Sequence, residues 1–211
     1  MDISIVLVIA IVTIIFYSLV QVYFEGTTAF KYNSDLNVKQ ERIYDISSPT
    51  SKNFAYGMWI NINKISANET TILVRPSEVR LFIKNGSLVI TSKSDSFDIL
   101  RNFPLQKWVY LTVSVTENNI TNKSIIDVYI DGKLVKSFES RDKISPSQSD
   151  QLTLGQFDAK MIGFKRWTYS LNPARVSDEY DNSSLKKFIG NYNIDISVLK
   201  DKALAKRFTL F

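Results

Sequence analysis

Neither histidine nor cysteine occurs anywhere in these 211 residues, and that absence limits the available chemistry more than any residue present. Without histidine the chain lacks the most frequent general base, the most frequent metal ligand and every Ser-His-Asp arrangement. Without cysteine it has no thiolate nucleophile, no thiolate zinc site and no disulfide framework. Acid–base work is left to carboxylates, lysines and tyrosines. Asp178 and Glu179 are adjacent, so they cannot share one face of a strand. The chain is therefore read as non-enzymatic, with no catalytic residue, no metal and no cofactor.

Other side chains can engage a partner without reacting. Between Leu185 and Arg207 stand Lys186, Lys187, Lys200, Lys202, Lys206 and Arg207, against Asp195 and Asp201, so the tail holds four of the formal net charge of +5. Together with Phe208 these residues are candidate partner contacts for an anionic surface or an acidic patch on a neighbouring protein. The competing reading is a solvated helix packed on its own domain, because charge runs usually face water. The rest of the chain is close to neutral, which argues against nucleic acid as a partner. Trp59, Trp108, Tyr129 and Trp167 form an aromatic set, read as core or inter-sheet packing in preference to a ligand platform. Asn68, Asn85, Asn119, Asn122 and Asn182 open Asn-x-Ser/Thr sequons, which are glycosylation acceptors in a luminal domain and inert in a cytoplasmic one.

The elements that must position these residues follow from hydropathy and turn chemistry. Ile3 to Phe24 carries no charge, and as a helix of about 22 residues it would span about 33 Å. It is read as a membrane anchor covering 1–24. A cleaved signal peptide is the lesser alternative, since the segment lacks a basic start and a small-residue cleavage site. A buried core helix is the other. Lys31, Lys39 and Arg42 follow the run and favour the cytoplasmic side for what comes after. Downstream the hydropathy period becomes two. Phe54, Tyr56, Met58, Ile60 and Ile62 fall on one face, as do Val109, Leu111, Val113 and Val115. Asn85-Gly86 and Asp131-Gly132 stand between apolar runs and predict type I′ hairpins. Asp131-Gly132 is read as a turn alone, with no contact of its own. Strands are predicted at Thr28–Tyr32, Arg42–Ile46, Phe54–Ile62, Thr70–Arg75, Val79–Lys84, Ser87–Ser92, Trp108–Val115, Ile125–Ile130, Lys133–Phe138, Leu152–Gly155 and Met161–Tyr169. Short strands at this spacing predict an antiparallel sandwich or barrel. Asn172 followed by Pro173 predicts a capped helical turn, and Ile196, Leu199, Ala203, Leu204 and Phe208 predict a partly helical tail. The predicted core includes Phe54, Met58, Ile60, Val109, Leu111, Val113, Val128, Ile130, Leu154 and Phe164.

The pieces also resemble a known family in their order. An early strand carries Trp59, and Gln106-Lys107-Trp108 opens a core strand. Asp127 to Val135 forms a Tyr-Ile-Asp-Gly-Lys hairpin, Leu152-Thr-Leu-Gly155 follows, and Phe164 to Pro173 closes the series. This resembles the laminin-G-like, concanavalin-A-like jelly-roll family over roughly residues 30–180. The resemblance implies two packed antiparallel sheets, with residues 25–180 as the β-sandwich and 181–211 as a basic C-terminal extension. Tyr110 stands where the family often has histidine, and the acidic residue common before the closing strand is missing around Ile162-Gly163. Glucanase relatives carry a Glu-x-Asp-x-x-Glu strand, which this chain lacks. A jelly roll on a single-pass anchor resembles, in architecture, minor capsid or membrane proteins of large DNA viruses. The expected function is thus a non-catalytic link between a lipid bilayer, through residues 3–24, and other structural proteins. The alternative is a membrane-displayed lectin that binds carbohydrate.

Overall fold

The structure, a computed structural model, describes residues 9–17, 27–29, 34–38, 40–66, 69–93, 95–183, 185–186, 195–200 and 203–209, with the backbone alone for 27–29, 195–200 and 203–209. Among these residues two large antiparallel sheets face each other. The first contains β1 (Thr27–Ala29), β2 (Ser34–Asp35), β4 (Phe54–Ile62), β9 (Trp108–Asn118), β10 (Lys123–Ile130), β11 (Lys133–Glu139) and β13 (Ala159–Trp167). Its order is β1-β13-β4-β9-β10-β11, with β2 also paired to β13. The second contains β3 (Glu41–Ile43), β5 (Glu69–Val74), β6 (Arg80–Lys84), β7 (Ser87–Ser92), β8 (Asp95–Leu100) and β12 (Leu152–Leu154), in the order β3-β12-β5-β6-β7-β8. The strand spacing predicts a sandwich or a barrel, and the sandwich found is the jelly-roll-like one that the family resemblance implies.

The core lies where period-two patterning puts it. Phe54, Tyr56, Met58, Ile60 and Ile62 of β4 are fully buried, and β9 adds Val109, Leu111, Val113 and Val115. Ile72, Leu81, Ile83, Leu88 and Ile90 meet them from the second sheet. Every predicted core residue lies in this cluster, Ile130 at its partly buried margin. Both predicted hairpins adopt the left-handed backbone a type I′ turn requires, with φ of 50° and 75° at Asn85-Gly86 and 50° and 78° at Asp131-Gly132. On β13 the register shifts between Ile162 and Lys165, and Gly163 takes φ of 61°. That bulge reverses the strand's phase. Met161 points inward before it, and Phe164 and Arg166 point inward after it.

The inward turn of Arg166 builds an ion network in the core. Glu78 accepts from the Tyr56 hydroxyl, from Arg75 and, at 2.8 Å, from Arg166. Arg75 also donates to the carbonyls of Pro49 at 2.9 Å and Ser147 at 2.7 Å, and Arg166 to that of Ser47 at 3.0 Å. None of these four side chains is more than 1% exposed. The network ties two surface loops to the middle of the sandwich.

Three expectations are corrected. The tail is not helical among its described residues: β14 (Asp195–Lys200) and β15 (Ala203–Thr209) pair as an antiparallel hairpin. Ile196 and Val198 alternate with Ser197 and Leu199, and β-branched residues at that period favour a strand over a short helix. Strands β2 and β8 were not anticipated, since neither carries a long alternating apolar run. The single-pass anchor is also corrected. Residues 9–17 are helical (α1), and among the described residues no helix is long and apolar enough to cross a membrane. The membrane localisation, and the orientation inferred from it, fall with that helix.

Candidate functional site

Each strand of the first sheet has a second face, turned away from the core. Strand pairing places Ile162 beside Trp59 and Trp59 beside Tyr110 in one row across β13, β4 and β9. Asp131 completes that row, because its carboxylate accepts from the Tyr110 N–H at 2.9 Å while its own N–H donates to the Tyr110 carbonyl. The next row runs Asp35, Lys160, Asn61 and Trp108 across β2, β13, β4 and β9. Alternation along a strand guarantees that both rows share one face.

Helix α2 (Pro173–Asn182) covers one end of this face. Asn172 caps it, its side chain accepting from the Arg175 N–H at 2.9 Å, and Pro173 opens it. Its buried residue Val176 packs with Ala55, Tyr129, Trp167 and Leu171 in a second apolar cluster outside the main core. Ser114 of β9 fixes the approach, exchanging hydrogen bonds of 2.8 and 3.0 Å with the backbone of Leu171. Gly57 leaves room for the cluster, since a Cβ there would lie 2.7 Å from the Trp167 ring.

Near its C-terminal end α2 turns Tyr180 onto the sheet. Its ring centroid lies 5.5 Å from that of Trp59 and 5.9 Å from that of Tyr110, and the latter two are 5.3 Å apart. The Lys186 ammonium donates to the Tyr180 hydroxyl at 3.1 Å and lies 4.6 Å from the ring centroid. That hydrogen bond holds Lys186 above the ordinary lysine range, against the cost of desolvation. Gly132 supports the ring from beneath: a Cβ there would lie 3.1 Å from Tyr180. The Asp131-Gly132 turn, expected to contact nothing, therefore builds one wall of a groove.

A cavity of about 300 Å³ opens between these walls, lined by Trp59, Asn61, Trp108, Asp131, Tyr180 and Lys186 among others. One neighbour of about 240 Å³ shares Trp59 with it, and another of about 410 Å³ shares Trp108. Trp59 is 4% exposed, yet its Nε1 has no hydrogen-bond partner among the described residues, and neither has Oδ1 of Asn61. An unpaired buried donor costs about 1–3 kcal/mol, and both of these atoms belong to residues on the cavity wall. Gln106, at the groove's edge, takes a left-handed φ of 57° and donates its N–H to the Ile62 carbonyl at 2.7 Å.

Of the residues singled out in the sequence, Lys186 joins the groove. Lys200, Lys206, Arg207 and Phe208 lie on β14 and β15, where the backbone alone is described, and Lys187 and Lys202 lie outside the described residues. Trp59 and Trp108 line the groove, whereas Tyr129 and Trp167 are packed as core side chains, as expected, in the second buried cluster beneath α2. Asn61, Tyr110, Asp131 and Tyr180 were missed as site residues. The available signal was the other half of the alternation: Trp59 and Asn61 occupy the face of β4 opposite its apolar row. Among the described residues no three His, Cys, Asp or Glu side chains cluster as metal ligands would.

Among solved structures, the ligand-binding domain of botulinum neurotoxin serotype D in complex with N-acetylneuraminic acid is similar at a TM-score of 0.57 and 16% identity, covering 76% of this chain and 45% of that one. The binding domain of botulinum neurotoxin DC in complex with rat synaptotagmin II follows at 0.53 and 19%, covering 72% and 42%. The chain thus spans less than half of these neighbours, and at such identities the likeness concerns the fold alone. Among curated proteins no sequence matches. Residues 37–177 match the family described as the concanavalin A-like lectin/glucanases superfamily, of laminin-G type, which agrees with both the sheet topology and the ordered sequence pieces. The chain belongs to that family.

Proposed function

We propose that this protein is a non-catalytic recognition module that binds carbohydrate in the groove on the outer face of its first sheet. The observation that carries the reading is the unpartnered Trp59 Nε1 and Asn61 Oδ1 in a groove walled by Trp108 and Tyr180. A sugar offers apolar C–H faces for aromatic rings and hydroxyls that both donate and accept, which is what these walls and these two atoms lack. Sites of this kind pair apolar walls with a few placed polar groups. The absence of turnover is part of the proposal. A glycosidase needs two free carboxylates about 5–9.5 Å apart, and Asp131, the carboxylate of the central cavity, is engaged by the Tyr110 N–H. The neighbours seen with N-acetylneuraminic acid and with synaptotagmin II lend support as analogy from fold. The bilayer-to-shell link expected from the sequence lacks comparable support, since it requires a spanning helix.

A glycan array probed with the full chain and with Trp108→Ala tests the reading. Trp108 is half-buried, so its removal should leave the fold intact. Binding to a defined set of glycans, lost in the variant, is the expected result. No glycan bound, or binding indifferent to Trp108, would refute it.

A further inference from the structure

We infer that the groove selects an acidic oligosaccharide several rings long over a neutral or single sugar, an inference that rests on the carbohydrate reading above. The first ground is extent. The three cavities are neighbours on one face, each pair sharing a lining residue: Trp59, Trp108 or Ile162. The row from Asp35 to Trp108 crosses β2, β13, β4 and β9, about 14 Å at the usual strand spacing. A single pyranose ring leaves most of that row uncovered.

The second ground is charge. Lys160 lines the cavity on one side of Trp108 and Lys107 that on the other; both are exposed, and neither forms an ion pair among the described residues. Two carboxylates also line the groove and keep their charge, so the lining sets Lys107, Lys160, Lys165 and Lys186 against Asp35 and Asp131. Asp131 accepts from the Tyr110 N–H at 2.9 Å, and Asp35 accepts from the Asn37 N–H at 3.0 Å. A ligand along the row meets two free ammonium groups, with the neutral amide of Asn61 between them. Carboxylate or sulfate groups spaced along a sugar chain complement that pattern, and a charge-assisted hydrogen bond is about twice as strong as a neutral one.

Calorimetric titration of the full chain tests both grounds. The probes are oligogalacturonides, hyaluronan fragments and sialic acid oligomers from monosaccharide to hexasaccharide, each with its carboxyl-esterified counterpart. At least one acidic series should bind about tenfold more tightly at the tetrasaccharide than at the monosaccharide, and about tenfold more tightly than its ester. Lys107→Ala combined with Lys160→Ala should erase the preference for the acid over its ester. Equal affinity for acid and ester, or for one ring and four, overturns this inference and leaves the carbohydrate reading standing. No binding by any acid or ester, together with a blank glycan array, overturns both.

Discussion

Glu78 is the residue on which the sandwich's interior charge depends. Among the described residues it alone offers a carboxylate to the buried guanidiniums of Arg75 and Arg166, and it also accepts from Tyr56. Glu78→Gln keeps the shape and removes the charge. Stranding a buried partner typically destabilises a protein by about 3–5 kcal/mol, and chemical denaturation should register a loss of that order. A loss below about 1 kcal/mol would mean that the loop carbonyls alone hold the two arginines. The buried tyrosines make a second prediction, in pH. Burial raises the phenols of Tyr56, Tyr110 and Tyr129, helped by the charges of Glu78, Glu179 and Asp127 respectively, and Tyr129 is pushed up to about 12. Unfolded tyrosine ionises near pH 10. Below that pH all three are neutral in both states, and their contribution to stability is flat. Above it the unfolded chain releases protons the native state retains, so stability should fall as pH rises. Phenolate absorbance during alkaline titration should show these three, of the chain's ten tyrosines, ionising only as the protein unfolds.

Among the elements, helix α2 is the one that completes the groove, because it delivers Tyr180. Asn172→Ala removes its cap and should cost about 1 kcal/mol in thermal or chemical unfolding. A looser helix holds Tyr180 less firmly against Trp59, so affinity for a bound glycan should also fall. Unchanged affinity at reduced stability would place the ligand away from α2. The cap and its proline were legible in the sequence because capping is local chemistry. So were β4, β7 and both Gly-containing hairpins, where alternation and turn residues agree. What was not legible depends on tertiary position. The alternation of β4 gives two faces and names only one as core. That the other face meets a helix, and becomes a groove, depends on where α2 docks, some 110 residues downstream. Arg166 offered no signal either, since its inward direction follows from the bulge at Gly163, and an arginine on a strand is ordinarily read as exposed. The tail misled because its apolar residues satisfy a helical stripe and a strand's alternation about equally well.

At the scale of the whole molecule, the two faces of the first sheet differ in task. One face supplies the core that makes the sandwich stable; the other, with α2, supplies a groove whose polar atoms await a partner. The tryptophan indole N–H groups report on that division directly, because the chain holds only Trp59, Trp108 and Trp167. Trp59 and Trp108 line the groove, while Trp167 lies in the cluster beneath α2. The indole N–H resonances, assigned with single Trp→Phe variants, can be followed by NMR as a glycan selected on the array is added to the full chain. The Trp59 signal should move strongly as its unpaired N–H gains an acceptor, Trp108 should move with it, and Trp167 should stay in place. A glycan that binds while the Trp59 and Trp108 signals stay fixed would contradict that division.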